Sequence, residues 1–106
     1  MCTLFAIILL GACAHQYKRI PSQNFDTRVK SLVMHFTAGD YVESLSALVD
    51  AGGLSSHYLL PAPNDASYPY ADLRILQLVP EHARAWHAGV SSWQNRFGLN
   101  DTSIGI

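Results

Sequence analysis

The chain predicts an α/β or α+β domain built on a mixed β-sheet. Two patterns carry that reading. Apolar runs of strand length, Ser31 to Phe36, Ser56 to Leu60 and Leu73 to Val79, are separated by breaker-rich stretches. Between the first two runs lies one segment with helical spacing, Tyr41 to Ala51. Strands and helix interleave in the order β-α-β-β-loop-β, which points to a mixed sheet with flanking helices. The chain has 106 residues, enough for one domain.

Taken in order, the polar stretch His15 to Arg28, with Pro21, reads as a linker. In the first strand, Leu32, Met34 and Phe36 share one face and Val33 and His35 the other. Thr37-Ala38-Gly39-Asp40 is a loop, with Asp40 placed to cap the helix. The helix carries Val42, Leu45, Leu48 and Val49 at helical spacing and stops at Gly52-Gly53. After the second strand, Pro61 to Ala71 is rich in Pro, Asn, Asp, Ser and Tyr and reads as a long surface loop. Pro80-Glu81 ends the third strand. Ala85 to Val90 is a loop or short strand, Ser92 to Phe97 a helical turn, and Ile104-Gly105-Ile106 begins another strand.

The N-terminus reads as an address. Leu4 to Ala12 is an apolar run far short of the ~20 residues of a membrane-spanning helix. It matches the hydrophobic region of a signal peptide. Leu10-Gly11-Ala12-Cys13 is similar to a bacterial lipobox, in which the cysteine receives the lipid. The expected division is a lipoprotein signal peptide over 1–12, a lipid-anchored tether over 13–28 and the domain from 29. Several acyl chains on Cys13 would anchor the protein stably to a membrane. The absence of Asp after Cys13 favours the outer membrane, on the periplasmic side of the envelope. No Lys or Arg precedes the apolar run, a departure from the usual signal; a buried N-terminal strand or helix is the competing reading.

Composition excludes some classes. Seven basic residues against eight acidic ones give a net charge of −1, and the basic residues form no run or stripe. Nucleic acid binding thus has no electrostatic footprint. Both cysteines, Cys2 and Cys13, precede the domain, which rules out a disulfide framework, a cysteine zinc knuckle or a cysteine nucleophile within it.

Three histidines stand in runs that otherwise look like core: His35 near the end of the first strand, His57 before Tyr58, and His87 beside Trp86. Imidazole is a common metal ligand and titrates near neutral pH. Strand ends are where functional groups gather in α/β folds. Spacing alone permits a three-histidine zinc site; a core histidine satisfied by one hydrogen bond is the simpler reading of each position. His15 and His82 read as solvated. There is no H-E-x-x-H motif, no G-x-S-x-G elbow and no phosphate-binding glycine loop.

Five stretches in order carry a resemblance: Leu32-Val33-Met34-His35-Phe36-Thr37-Ala38, Ser55-Ser56-His57-Tyr58-Leu59-Leu60-Pro61, Gln77-Leu78-Val79-Pro80-Glu81, Ala85-Trp86-His87-Ala88-Gly89-Val90-Ser91, and Asn100-Asp101-Thr102-Ser103-Ile104-Gly105-Ile106. Together they resemble the zinc-dependent N-acetylmuramoyl-L-alanine amidases of the type 2 family, to which peptidoglycan recognition proteins are distantly similar. With the lipobox, the likeness is to lipoprotein members in the outer membrane.

The resemblance implies hydrolysis of the amide between N-acetylmuramic acid and the L-alanine of the stem peptide, with peptidoglycan or muropeptides as partners and a monomeric enzyme. It implies that His35 is the first zinc ligand. It puts His57, Trp86, His87 and Asn100 on the substrate cleft or its support, and makes Asn100 and Ser103 shape the turn and strand of the catalytic acid. The family's general base, a glutamate, follows Ile-Gly-Ile directly, and its other zinc ligands come later. Residues 29–106 are therefore expected to be the N-terminal part of an amidase domain, incomplete at the C-terminus, poorly stable and inactive alone. The alternative is a non-catalytic peptidoglycan-binding lipoprotein; zinc storage would rest on the histidines alone.

Overall fold

A computed structural model of the chain describes residues 18–106. The signal peptide, the lipobox and Cys13 lie outside the described residues. No helix among the described residues is long and apolar enough to cross a membrane.

The elements run β1 (Ser31–Val33), α1 (Tyr41–Val49), β2 (Tyr58–Leu59), β3 (Leu76–Gln77), β4 (Ser92–Trp93), β5 (Arg96–Phe97), a 3₁₀ turn (Leu99–Asp101) and β6 (Ser103–Gly105). β1 pairs with β6 in parallel, Leu32 facing Ile104, while β2–β3 and β4–β5 are antiparallel. The expected mixture of parallel and antiparallel pairing is present, but in three two-stranded pieces. The first two are joined through His57. Its N–H donates to Gly105 O at 3.0 Å, and its own carbonyl accepts from Leu78 N–H at 2.8 Å. The β1–β6 ladder continues past the strands, with His35 N–H donating to Ile106 O at 2.6 Å and Ile106 N–H to Val33 O at 3.0 Å. That bond fixes the backbone of His35.

Helix α1 is set by its N-terminus. Asp40 accepts from Glu43 N–H at 2.9 Å and Glu43 returns a bond to Asp40 N–H at 3.1 Å, a complete capping box. The Pro61–Ala71 loop supplies two more caps, since Tyr41 N–H donates to Asp65 Oδ2 at 2.6 Å and Val42 N–H to Ser67 Oγ at 3.2 Å. Bonds from Ser67, its hydroxyl foremost, and from Tyr41 N–H hold the Asp65 carboxyl below the usual carboxylate range. The stretch expected to be a plain surface loop is thus pinned to the helix that precedes it.

The helix's apolar stripe is only partly covered, and one expected element is corrected. The helix buries Tyr41 and Ser44, half-buries Leu45 and Leu48, and leaves Val42 and Val49 exposed. The inward face lies on the side of Tyr41, whose N–H is held by the loop's Asp65 carboxylate. Ser92 to Phe97 is a β-hairpin and not a helical turn: Gln94 and Asn95 take φ of 47° and 62°, the left-handed pair of a two-residue loop.

The core is small. Leu59, Ala85, Ile104 and Tyr41 are its buried apolar side chains among the described residues. The other buried groups are polar: Ser44, Ser56, His57, Asn100 and Ser103.

Candidate functional site

The parallel β1–β6 pair brings His35, His57 and His87 together, but as a bonded stack and not a chelate. The rings of His35 and His87 are 5.0 Å apart edge to face, and those of His87 and His57 5.9 Å apart. His35 Nε2 lies 2.8 Å from His87 Nδ1, and His87 Nε2 lies 3.1 Å from Ser103 Oγ. The Ser103 hydroxyl donates to Leu99 O at 2.5 Å. Its only proton is committed there, so Ser103 Oγ accepts from His87 Nε2–H. His87 Nδ1 then accepts from His35 Nε2–H.

His57 sits beneath, with no exposed surface. Gly105 N–H donates to its Nδ1 at 3.0 Å, and its Nε2–H donates to Ala83 O at 3.0 Å. Gly105 is glycine for a local reason: a Cβ there would fall 2.4 Å from His87 Cγ. The His87 ring lies flat on the β6 backbone, in contact no other residue would allow. Burial, and then the charges of His35, His57 and Arg28, push the His87 pKa down to about 4. The half-buried ring therefore stays neutral at working pH.

Asn100 shapes the loop that carries His87. Its Oδ1 accepts from His87 N–H at 3.0 Å and Ala88 N–H at 2.8 Å. Arg28 locks the same seam from the other end of the chain. Its guanidinium donates to Glu81 O at 2.8 Å and to the carbonyls of Asn100 and Ser103, each at 3.1 Å. It also reaches Asp101 O at 3.3 Å, and Nη2 lies 3.0 Å from His57 Nε2. Arg28, read from sequence as the end of the tether, is built into the domain.

A cavity of about 590 Å³ opens beside His35, between the loop after β1, helix α1 and the β2 region. His35, His87, Tyr58, Leu59, Leu48 and Ile106 are among its lining, which is mainly apolar. Of the four positions expected at the substrate cleft, only His87 lines this cavity. His57 and Asn100 are buried, with both His57 ring nitrogens and Asn100 Oδ1 bonded to protein partners, and neither residue is among the cavity's lining. Trp86 is 56% exposed and is not among the cavity's lining, its backbone tied to Ser55 at 2.9 and 2.8 Å.

A metal has a partial fit. His35 Nδ1 has no hydrogen-bond partner among the described residues, whereas the ring nitrogens of His57 and His87 are all engaged. Among those residues no group of three His, Cys, Asp or Glu side chains is gathered to hold an ion. His35 thus offers one donor of a set that these residues do not complete.

Fold and site together define a small mixed-sheet domain that holds one open imidazole at a strand end beside an apolar cavity. The model of the family described as N-acetylmuramoyl-L-alanine amidase, Amidase_2, matches residues 25–106, and the chain belongs to that hydrolase family. It is 44% identical to the N-acetylmuramoyl-L-alanine amidase AmiD of Escherichia coli K12 over 95% of this chain and 40% of that protein. The structure of AmpDH3 from Pseudomonas aeruginosa in complex with anhydromuramic pentapeptide superposes with a TM-score of 0.74 at 46% identity, covering 92% of this chain and 38% of that one. The E. coli AmiD complex with anhydro-N-acetylmuramic acid-L-Ala-D-γ-Glu-L-Lys gives 0.67 at 48% identity, covering 82% and 33%. The chain thus spans about two fifths of the length of AmiD.

Proposed function

We propose that the protein is a zinc-dependent peptidoglycan amidase that cleaves the bond between N-acetylmuramic acid and L-alanine. The observation that carries this is the placement of His35. It stands at the end of β1 with its backbone fixed by Ile106, its Nε2 engaged by His87 and its Nδ1 open, within a family match over 25–106. His35 would be one zinc ligand, and zinc, when bound, supplies the charge that polarises an amide carbonyl and activates water. The chain's own groups hold and orient. Ser103 and Gly105 seat His87, His87 orients His35, and the cavity walls of Leu48, Leu59 and Ile106 keep one side of the site dry. On this reading the chain binds muropeptide without turning it over, because the described residues supply a single ligand.

The anhydromuramyl tripeptide bound in the AmiD structure is a suitable probe, since its sugar and stem peptide span the scissile bond. Titrated into the chain, it should shift the NMR signals of His35, His87 and the cavity residues, with no free stem peptide released on adding zinc. Saturating peptide that leaves those signals unmoved would remove the reading. Shifts confined to the surface around Trp86 would instead favour a binding module with a different groove. Release of free peptide by the chain would overturn its proposed silence.

Anchoring is a second proposal, supported by the run Leu4 to Ala12 before Cys13. Cys13 is lipidated and holds the protein on the periplasmic side of the envelope, at the outer membrane. Labelling with an alkyne fatty acid in a bacterial host should mark the wild-type protein and not Cys13→Ser; equal labelling of the two removes the proposal.

A further inference from the structure

We propose that His87 is a positioning residue: seated by Ser103 and Gly105, it pins His35 through Nε2 and so commits Nδ1 as the one nitrogen His35 can offer a ligand. The purpose of this arrangement rests on the amidase reading; its geometry does not.

A surface imidazole can turn about two side-chain bonds and can carry its proton on either nitrogen. Both freedoms are removed here by a chain that starts in the backbone. The Leu99 carbonyl takes the Ser103 proton, Ser103 takes the His87 Nε2 proton, and His87 Nδ1 takes the His35 Nε2 proton, at 2.5, 3.1 and 2.8 Å. The chain has one direction because a carbonyl at its origin can only accept. Reversing it would set two donors or two lone pairs face to face at one of the contacts.

The seat is as specific as the bonds. The main-chain N–H groups of His87 and Ala88 both bond Asn100 Oδ1, and the absence of a Cβ at Gly105 leaves room for the ring at a distance of 2.4 Å from where that atom would be. Ser103 is fully buried, so its hydroxyl is held without competition from solvent. His35, by contrast, is exposed and has no other side-chain bond, so its orientation rests on His87.

The test uses the whole chain labelled with nitrogen-15, without substrate, and zinc alone as the probe. Wild-type protein should show scalar coupling across the hydrogen bond between His35 Nε2 and His87 Nδ1. Zinc should then perturb His35 Nδ1 and leave that coupling intact. His87→Leu removes the acceptor: the coupling vanishes and zinc perturbs both nitrogens of His35. His87→Asn places an amide oxygen near the lost Nδ1 and should restore zinc to Nδ1. Ser103→Ala, a milder change, should weaken the coupling while the backbone spectrum stays dispersed. Zinc on Nε2 in the wild type, or zinc confined to Nδ1 in a folded His87→Leu, would overturn the proposal. Neither outcome depends on muropeptide binding, so the amidase reading and this one fail separately.

Discussion

The seam behind β6 and the outer face of β1 are two sides of one strand pair, and they are built from opposite materials. Behind β6 the buried groups are His57, Ser103, Asn100 and the Gly105 backbone, every one hydrogen-bonded and tied together by Arg28. On the outer face Leu32 of β1 is exposed, as are Met34 and Phe36 just beyond the strand, which also border the cavity; Phe36 is exposed to 94%. The polar seam is ordered by directional bonds between segments more than seventy residues apart, such as Arg28 and Ser103. The apolar face has nothing directional to order it among the described residues. In this chain polar contacts therefore specify the site's geometry, and hydrophobic burial contributes less than is usual for a domain of this length.

The largest expected effect follows from breaking the seam at its tie. Arg28→Met keeps much of the aliphatic stem but removes the donors to the carbonyls of Glu81, Asn100, Asp101 and Ser103. Losing charge-assisted bonds to partly buried acceptors should cost about 3 kcal/mol. Urea unfolding of the two proteins measures it, and a change below about 1 kcal/mol would mean that the seam is held by something other than Arg28.

Acid should loosen the same seam over a defined range. The His87 pKa is about 4 in the fold against 6.5 as its ordinary value, lowered first by burial and then by the neighbouring charges. Between those values the unfolded chain takes up a proton that the folded ring refuses. The His87 contribution is thus complete above 6.5, declines as pH falls towards 4 and is spent below that. Asp26, Asp65 and Asp72 are held below 3.8, so their contributions fade only at lower pH. Urea midpoints measured across the window should fall with acidification for the wild type, and the His87→Asn profile should be flatter there. Parallel profiles would show that His87 does not set the slope.

What could be read from the sequence follows the same division. Local patterns were legible: the alternation of β1, the Asp40 cap and the helix behind it, the Ile104 strand. The family was legible through motif resemblance, because five stretches match it in order. The seam was not. Arg28 lies in a polar stretch that reads as linker, and nothing in its neighbours announces four carbonyl partners more than fifty residues away. The burial of His57 and Asn100 involves long-range bonds of the same kind, so the sequence alone does not distinguish lining the cleft from supporting it. The Ser92–Phe97 hairpin was hidden for a smaller reason: Gln94-Asn95 lacks the glycine that usually marks a two-residue turn.

That hairpin offers a gain in stability outside the seam. Gln94 at φ 47° carries a side chain in a left-handed conformation that Asn and Gly adopt more readily. Gln94→Asn combined with Asn95→Gly makes the preferred pair and should stabilise by roughly 0.5 kcal/mol. A thermal melt reads it. A loss instead would mean that the Gln94 side chain holds a contact worth more than the strain it causes.

The smallest effect is expected on the outer face, and it is the sharpest check on the contrast between the two regions. A Leu or Phe in a packed core costs several kcal/mol to remove, about 3–5 for Phe. Phe36 at 94% exposure and Leu32 at 56% bury little of that surface in this structure. Phe36→Ser should therefore change unfolding free energy by no more than about 0.5 kcal/mol, and Leu32→Ser by slightly more because Leu32 keeps partial cover. Removing an apolar stripe from an exposed strand should also raise the concentration at which the chain aggregates, measured by light scattering. A loss of several kcal/mol from Phe36→Ser would mean that the outer face is covered in solution, and that apolar packing, not the Arg28 seam, carries most of the fold.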